Sequence, residues 1–545
     1  MKPLGYVLSG STTSTFEFEL TRDGEQLVRE GMLVVVEGSR EQLLARVDSV
    51  KVYSGFYQAN DYWASARREG FQPPKDALKY TIATATIIGS LDREGLRETR
   101  WPPEPGDVVR LFAKEDLPLV YGFSEEKPGI IWFGSIVGYE ELPLALNVEA
   151  LTMHLGVFGE TGSGKSYGFG YLLELLASIP AGDGVRVALP ALVVDANGDY
   201  LDYWDVYRKG RNIGEYGVVL RLVSPKSRAS LQPHVRTYTI DLEVFSAREL
   251  AEFIVVYKSG GWEINEMQVA ILERVFAELA AEGYSYTRLL TEQPHLLVDR
   301  LGELARSRRA HHQTVRAAIA ALEKFHRDLV ENHGIVSSSP TLTREFVEEL
   351  VRKPGLAILD FSAEGSPGVP LAVKQLVVAY VSRLLYNLFT EYKVAGREAY
   401  ILYALEEAQN YAPNPRRYPV GWSLARDYLS LIATQGRKFG ICLAVISQRP
   451  AYVDPVIVSM INTFIVYRLS VDDIDYIARL AGGIPKPLQQ KLASLPRGTA
   501  LVFGQANLLN TPLLVKTGKR NVEHRMGKTS LVKALRRLQL PLTKP

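Results

Sequence analysis

The chain has 545 residues, of which 46% are hydrophobic and 23% are charged. This composition is typical of folded globular domains and excludes a disordered or fibrous chain, and the length predicts roughly three to four folding units. The single cysteine, Cys442, excludes an intramolecular disulfide and a cysteine-rich metal site. No apolar run is long enough for a membrane span and residues 1–15 lack the features of a signal peptide, so we expect a cytoplasmic protein.

Charge is unevenly distributed along the chain, although the formal net charge is only +2. Residues 516–545 contain nine lysines and arginines and one glutamate, so this basic C-terminal segment carries +8 and the remainder about −6. Such a segment binds phosphates or an acidic neighbouring subunit, or it is a solvated tail. Charge alone leaves these alternatives open.

The first 140 residues have the pattern of an all-β domain. Residues 16–20 alternate strictly between apolar and polar. Further strand-like segments, rich in β-branched residues, are residues 32–37, 43–52, 80–88 and 107–112. Several short strands at this spacing predict a small β-barrel at residues 1–140.

From residue 154 onward, apolar strands alternate with helical stretches, which is the pattern of a parallel sheet. The predicted strands are residues 154–158, 189–195, 356–361, 399–405, 441–447 and 463–469. Ser246 and Glu249 have the spacing of a capping box and open a helical insertion. We therefore predict an α/β fold whose domains are residues 1–140, a sheet domain in two parts at 141–245 and 336–515, the helical insertion at 246–335, and the basic segment at 516–545.

The strongest motif is a glycine-rich segment between the predicted strand at residues 154–158 and a helical stretch. Its sequence, Gly-Glu-Thr-Gly-Ser-Gly-Lys-Ser, matches the phosphate-binding loop in the strand, loop and helix context that this motif requires. Its glycines let backbone N–H groups surround phosphate oxygens, while Lys165 reaches the β- and γ-phosphates and Ser166 ligates Mg²⁺. With ATP and Mg²⁺ as cofactors, the predicted nucleotide-binding residues are Gly159, Glu160, Thr161, Gly162, Ser163, Gly164, Lys165, Ser166 and Tyr167.

Hydrolysis also requires an acid near the metal and a base that orients water. Glu406 and Glu407 end a predicted strand, at the edge of an open parallel sheet where ligands collect. We predict Glu406 as the magnesium-side acid and Glu407 as the general base, with two solvent-facing acids as the alternative. Gln448 ends a neighbouring strand and is predicted to sense the γ-phosphate.

Three further charged positions have two interpretations each. Asp195 and Asp360 end predicted strands and either support the outer shell of the metal or cap a loop. Arg437, beside Lys438, either spreads positive charge over the transferring phosphoryl group of an adjacent subunit or belongs to a basic surface pair. The first interpretation of Arg437 requires a ring of subunits.

These motifs, in this order, resemble the HerA branch of the HerA/FtsK superfamily of ring ATPases. The resemblance covers most of the chain, and residues 5–20 are similar to the HAS barrel of that family. It rests on Gly138 and on residues 154–166, 195–200, 406–409, 436–440, 447–450, 453–455, 462–468 and 495–500.

The resemblance implies a homohexameric, ATP-driven translocase or helicase with a RecA-like core that acts on double-stranded DNA. In archaea this family works with the NurA nuclease to resect broken ends for homologous recombination, and the HAS-like barrel resembles the surface that docks the nuclease. It implies that Arg437 is a finger acting in trans. Two departures could alter how nucleotide state reaches DNA: Gln409 stands where the family usually has histidine, and Asn197 and Asp199 replace the commoner histidine and glutamate.

A translocase holds DNA phosphates without reading bases, which favours basic loops with aromatic neighbours. Two segments predicted as loops after sheet strands have this composition, and ordinary surface loops are the alternative. They are residues 203–211, with Arg208, Lys209 and Arg211, and residues 411–422, with Arg416 and Arg417.

Two other functions fit the same motifs. One is an ATP-gated ring that scaffolds a nuclease or another effector without processive translocation. The other is a secretion or conjugation ATPase of the same superfamily, which normally works at a membrane.

Overall fold

The computed structural model describes residues 2–59, 62–75, 78–93, 95–122, 126–260, 264–418, 422–482, 484–524 and 535–536. These residues form two compact units. The first unit combines described residues from 1–150, 180–185 and 463–518, and the second combines those from 151–179, 186–462 and 519–545.

The strands are numbered in chain order. They are Gly5–Val7 (β1), Thr15–Leu20 (β2), Leu33–Glu37 (β3), Gln42–Ser54 (β4), Lys79–Asp92 (β5), Gly95–Arg97 (β6), Val108–Leu111 (β7), Ile130–Ile136 (β8), Tyr139–Asn147 (β9), Leu155–Phe158 (β10), Ile179–Gly182 (β11), Val185–Val187 (β12), Ala191–Asp195 (β13), Val218–Val223 (β14), Val235–Thr237 (β15), Gly355–Asp360 (β16), Ile401–Glu406 (β17), Ile441–Ser447 (β18), Thr463–Val466 (β19), Thr499–Gly504 (β20) and Leu513–Thr517 (β21).

The α-helices are numbered in the same way. They are Arg22–Leu27 (α1), Ala64–Arg68 (α2), Leu117–Tyr121 (α3), Val148–Leu151 (α4), Lys165–Leu176 (α5), Leu201–Tyr207 (α6), Ala247–Ser259 (α7), Glu266–Ala281 (α8), Tyr286–Thr291 (α9), Pro294–Arg306 (α10), His312–Phe325 (α11), Arg344–Arg352 (α12), Leu371–Val394 (α13), Leu424–Gln435 (α14), Pro455–Ser459 (α15), Val471–Ala481 (α16) and Lys486–Leu492 (α17). Across the described ranges, no helix is both long and apolar enough to cross a membrane.

The first unit contains a closed antiparallel barrel of six strands. Their order is β2, β1, β7, β3, β4 and β5, and pairing of β5 with β2 closes the ring. Alternate residues point inward, as in β2, where Phe16 and Phe18 are buried while Glu17 and Glu19 are exposed. The predicted barrel is therefore confirmed, because the apolar residues that its strands direct inward form one continuous buried cluster.

The first unit also contains the antiparallel strands β19, β20, β21, β8 and β9, paired in that order. The predicted boundaries at residues 140 and 515 do not coincide with this unit. The reason is that β8 pairs with β21, so a segment from near the start of the chain shares a sheet with a segment from near its end.

The second unit is built on a parallel sheet. Its strand order is β15, β14, β16, β13, β17, β18 and β10, and every neighbouring pair is parallel. Most of these strands are nearly continuous apolar runs, as expected when helices cover both faces. The predicted α/β class is confirmed, although β14 was missed because Arg221 interrupts its apolar run. The strand predicted at residues 463–469 is not part of this parallel sheet, because it forms β19, which pairs antiparallel with β20.

Helices α7 to α11 form the insertion between β15 and β16, followed by a π-helical turn at His326–Asn332. The predicted capping box opens α7, since Ser246 Oγ accepts from the Glu249 N–H and Glu249 Oε2 accepts from the Ser246 N–H. In α10, the buried residues Leu297, Leu301 and Leu304 follow helical spacing. The insertion is therefore helical, as the sequence indicated.

His154 joins β10 to β18 inside the second unit. Its Nδ1 accepts from the Leu443 N–H at 3.1 Å and its Nε2 donates to the Ala433 carbonyl at 3.0 Å. Burial, with a smaller contribution from the nearby charge of Arg437, lowers the pKa of His154 to about 4, although the Ala433 hydrogen bond acts in the opposite direction. The imidazole of His154 is therefore neutral. The backbone of His154 has a φ of +70°, which is a left-handed conformation.

We expect acidification to weaken the second unit through His154. The folded pKa lies below the ordinary value, so the unfolded chain takes up a proton first and stability is lost as the pH falls from about 6.5 towards 4. Between pH 7.5 and pH 5 the loss from this group is about 2 kcal/mol. Urea titrations of the wild type and His154→Asn, whose side chain tolerates this backbone, should show their difference in free energy of unfolding shrinking by that amount. A difference independent of pH would contradict a buried neutral imidazole.

Candidate nucleotide-binding and hydrolysis site

The glycine-rich segment forms a tight loop between β10 and α5. β10 ends at Phe158 and α5 begins at Lys165. Gly162 and Gly164 have φ of +77° and +110°, which residues with a Cβ rarely adopt. No side chain caps the first turn of α5, so its backbone N–H groups are available to an anion.

Lys165 lies beside Glu407 at the carboxyl edge of the sheet. Its Nζ is 3.8 Å from Glu407 Oε1, and both side chains are buried. Glu407 directly follows β17 with φ 51° and ψ 49°, a left-handed conformation that costs about 1 to 3 kcal/mol in a residue with a Cβ. This turn separates the environments of the two adjacent glutamates.

Two amide groups hold the two carboxylate oxygens of Glu407. Gln448 Nε2 donates to Oε1 and Gln409 Nε2 donates to Oε2, each at 2.6 Å. Thr161, in the glycine-rich loop, donates its hydroxyl to Gln448 Oε1 at 2.8 Å. Hydrogen bonds thus connect the loop to the ends of β17 and β18, where an ionised carboxylate can also accept a hydrogen bond from water.

Asp195 and Glu406 form a buried pair of carboxyl groups at the same edge. Neither is exposed to solvent. Burial raises the pKa of Asp195 to about 6 and raises the pKa of Glu406 well above its usual value, while the charge of Lys165 opposes the second shift. Both groups therefore release their protons at a higher pH than exposed carboxyl groups do. Glu406 Oε2 also accepts from the Ala196 N–H at 3.1 Å.

Glu406 fits the role of a group near Mg²⁺. Its Oε1 is buried without a hydrogen-bond partner among the described residues, and a cation or its bound water would satisfy such an oxygen. Where the structure describes the chain, no cluster of three or more histidine, cysteine, aspartate or glutamate residues offers a metal site by itself. With Ser166 in the first turn of α5, a cation here would take its remaining ligands from the nucleotide and water.

The other two strand-end acids have protein partners. Asp195 Oδ1 accepts from the backbone N–H of Gly198 and Asp199, at 2.7 and 3.0 Å, so this residue caps its loop as well as pairing with Glu406. Asp360 bonds Arg221 Nε at 2.8 Å, and both side chains are buried. Asp360 therefore balances the charge inside β14.

Arg437 lies at the amino-terminal ends of the sheet strands, whereas the glycine-rich loop lies at their carboxyl-terminal ends. It belongs to the 3-10 helix Gly436–Phe439, which precedes β18, and its charge reaches His154 just before β10. Glu407 and Gln448 lie beyond the other ends of their strands. Because seven strand residues span about 20 Å, the exposed Arg437 is too distant to contact a phosphate in the loop of its own chain.

The two basic segments predicted to contact DNA lie at different edges of the sheet. Residues 201–207 are the helix α6 and not a loop, so Arg208, Lys209 and Arg211 follow a helix near the start of β14, where Tyr207 Oη donates to the Gly217 carbonyl. The loop prediction failed because aromatic residues on α6 pack inward. Asp205 also bonds both Arg208 Nε and Lys209 Nζ, at 2.9 and 2.7 Å. Arg416 and Arg417 are exposed and follow β17, at the edge that carries the phosphate-binding loop.

The basic C-terminal segment begins inside folded structure. Lys516 belongs to β21, and Arg520 is buried with its Nε 3.7 Å from Glu174 Oε1. The Arg520 N–H donates to Tyr167 Oη at 2.9 Å, so this predicted nucleotide-binding residue packs against the segment. The basic residues that lie outside the described residues are Arg525, Lys528, Lys533, Arg537 and Lys544.

A family model for the central domain of the helicase HerA matches residues 131–385. This range includes the glycine-rich loop, Asp195 and the helical insertion. Residues 131–385 are therefore similar to the HerA central domain. The resemblance to HerA drawn from the motifs is therefore confirmed.

The HerA-like chain is also similar to whole curated proteins. It is 24% identical over 522 residues to the DNA double-strand break repair helicase HerA of Sulfurisphaera tokodaii, covering 95% of this chain and 93% of the relative. It is 25% identical to the helicase of the same name from Pyrococcus furiosus, over 80% of this chain and 77% of that one.

Solved structures similar to the HerA-like chain include VirB4 and TrwB. VirB4 of Thermoanaerobacter pseudethanolicus matches 73% of this chain and 98% of its own length, with 14% identity and a TM-score of 0.47. The plasmid coupling protein TrwB in complex with ADP and Mg²⁺ matches 74% of this chain and 92% of its own, with 17% identity and a TM-score of 0.46.

The structure brings Lys165, Glu406, Glu407 and Gln448 of the HerA-like chain to one edge, together with Thr161, while Arg437 lies elsewhere. Sequence patterns indicate no role for Ser447, and Gln409 differs from the family pattern without a predicted role in the site. The signal for both was polar residues at strand ends beside the two glutamates. The partner of each residue belongs to a different chain segment, which spacing alone does not reveal.

We expect the Asp195–Glu406 pair to cost stability as the pH rises in metal-free, nucleotide-free protein. The pKa of Asp195 is about 6 in the folded protein and 3.8 in the unfolded chain. Protonated Asp195 therefore stabilises the folded protein at low pH, and this stabilisation is lost as the pH rises through about 6. From pH 5 to pH 8 this amounts to about 1 kcal/mol or more. In Glu406→Gln an amide donates to Asp195, and urea titration should show a smaller loss than in the wild type. Equal losses in both proteins would argue against a shared proton.

Proposed function

We propose that this protein is an ATP-driven hexameric translocase or helicase on double-stranded DNA that acts with a nuclease in DNA end resection and double-strand break repair. The observation that carries the proposal is the contact network in which Glu407 meets Lys165, Gln448 and, through Gln448, Thr161 of the phosphate-binding loop. The relatives named DNA double-strand break repair helicase HerA, aligned over most of the chain, supply the substrate class.

In the proposed reaction, a water molecule attacks the γ-phosphate and Glu407 accepts its proton. Lys165 neutralises charge on the phosphate oxygens and lies beside Glu407. Mg²⁺, held through Ser166 and Glu406, supplies further charge neutralisation when bound. Gln448 reports the state of the loop because its two amide atoms contact Thr161 and Glu407.

The position of Arg437 supports an assembly of subunits. Since its own loop lies at the far edge of the sheet, the phosphate that it stabilises belongs to the next protomer. A contact of one edge with the opposite edge of a neighbour is heterologous, and such contacts close into rings. We therefore propose a homohexamer in which Arg437 is the trans finger.

The proposal assigns the barrel and the basic residues to the partners. The HAS-like barrel is the platform for a NurA-like nuclease, in line with the resemblance to HerA. Arg416 and Arg417 are the better candidates for DNA contacts, because they follow β17 at the end of the sheet that carries the proposed hydrolysis site. Arg208 and Lys209 are less suitable, because Asp205 partly neutralises their charges. Homologous recombination in the cytoplasm is the proposed setting.

The alternatives from the sequence are a ring that scaffolds a nuclease without advancing and a secretion or conjugation ATPase. A scaffold holds DNA and hydrolyses ATP, yet it does not move along the duplex. Displacement of a third strand from linear duplex separates these functions, because only a translocase removes that strand at a rate that depends on ATP.

ATPase measurements with and without linear duplex test the proposed reaction. We expect DNA to increase the wild-type rate and Glu407→Gln to lower kcat by roughly a hundredfold or more, since general bases contribute about 10²- to 10⁴-fold. Lys165→Ala should lose nucleotide binding as well as turnover. The matched control is Glu364→Gln, which changes a carboxylate that contacts Arg221 and should stay within about twofold of the wild type. A rate insensitive to both Lys165→Ala and Glu407→Gln would refute the assignment of this site.

Mixed rings test the role of Arg437 in trans. We expect Arg437→Ala and Glu407→Gln to be inactive alone and partly active when mixed, because about one quarter of heterologous interfaces then combine an intact glutamate with an intact arginine. The control is Arg437→Ala mixed with the double variant that carries both changes, which forms no intact interface. Failure of the first mixture to exceed the control, with assembly confirmed by native mass, would rule out a trans finger.

A further inference from the structure

The turn after β17 contains a buried glutamine, Gln409, that takes no part in the proposed reaction described so far. Gln409 makes hydrogen bonds through both ends of its amide: Nε2 donates to Glu407 Oε2 at 2.6 Å and Oε1 accepts from Ser447 Oγ at 2.7 Å. It therefore connects the carboxylate of Glu407 to the last residue of β18.

The directions of these hydrogen bonds follow from the chemistry of the groups. An ionised carboxylate only accepts, so the amide nitrogen of Gln409 must face Glu407 and its oxygen must face Ser447. The Ser447 hydroxyl completes the arrangement, because it accepts from the Arg449 N–H at 3.1 Å and donates its own hydrogen to Gln409. Every donor in this chain of hydrogen bonds therefore faces an acceptor.

The two amides that hold Glu407 have different supports. Gln448 is oriented by Thr161, which belongs to the phosphate-binding loop. Gln409 is oriented by Ser447, a fully buried residue whose strand pairs with β10. One oxygen of Glu407 is therefore held by a group that nucleotide can move, and the other by a group anchored in the sheet.

We infer that Gln409 is the positioning residue that fixes the Glu407 carboxylate while nucleotide changes the Gln448 contact. This inference rests on the proposed ATP hydrolysis. The donor is neutral, so it sets the orientation of the carboxylate without adding a second positive charge beside Lys165. Rotation of the carboxylate about its terminal bond would move the accepting oxygen away from the water, which lowers turnover and leaves ATP binding intact.

The same chemistry names the side chain that can replace Gln409. A neutral imidazole has one nitrogen that donates and one that accepts, so histidine can bond both Glu407 and Ser447. Methionine fills a similar volume and offers neither strong donor nor strong acceptor. The pair of variants Gln409→His and Gln409→Met therefore separates hydrogen bonding from packing.

The test is the steady-state ATPase of these variants at pH 8, with KM for ATP and kcat measured separately. Gln409→Met should lower kcat by about 10- to 100-fold, the range for losing a hydrogen bond to a charged group, with KM within about twofold. Gln409→His should recover most of the wild-type kcat. The matched control is Gln375→Met: Gln375 is buried, its Nε2 donates to the Asn410 carbonyl in the same turn at 2.7 Å, and it does not contact Glu407.

Unchanged kcat in Gln409→Met, failure of Gln409→His to exceed it, or an equal loss in Gln375→Met overturns the inference while leaving the proposed function in place. A wild-type chain without ATPase activity overturns both. If Gln409→Met does not fold, as judged by circular dichroism, Ser447→Ala replaces it, because this change keeps Gln409 but removes the hydroxyl that orients it. A lower kcat at constant KM then supports the inference, and an unchanged kcat overturns it.

Discussion

The register of the parallel sheet determines which chain segments meet at the site. Phe158 pairs with Ser447, Glu406 with Ile446, and Asp195 with Asp360, so the strands of the second unit end almost level with one another. The polar residues that follow these strands therefore lie together at the carboxyl-terminal edge of the sheet. A shift of one residue in β17 would turn each of its side chains to the opposite face of the sheet and would exchange the environments of Glu406 and Glu407.

Those environments differ although the two residues are adjacent. Glu406 is the last strand residue and enters a fully buried pair with Asp195, where burial favours the protonated form. Glu407 has already left the strand in a left-handed conformation and meets Lys165 and two amide donors. The strained backbone at Glu407 thus separates a carboxyl group buried with another acid from one that is surrounded by donors.

Local patterns in the sequence were sufficient where local physics decides the structure. The apolar run of β18 predicted its bounds, Ser246 and Glu249 predicted the start of α7, and the glycine-rich motif predicted the tight loop between β10 and α5. Local patterns did not predict the secondary structure of segments that depend on a partner far away in the sequence. β14 tolerates Arg221 because Asp360, 139 residues later, balances its charge. Residues 201–207 form a helix because their aromatic side chains are buried by segments that the sequence does not show as neighbours.

The separation of Arg437 from the phosphate-binding loop has a mechanical consequence. The 3-10 helix that carries Arg437 leads directly into β18, and β18 ends at Ser447, next to Gln448. One strand therefore joins the residue that we propose as a trans finger to the residues that hold Glu407 in its own site. Because β18 has parallel partners on both sides and packed structure transmits strain, a displacement of Arg437 on a neighbour's phosphate would reach Gln448 and Ser447. In the proposed ring, such a connection would link the hydrolytic state of each site to that of the next.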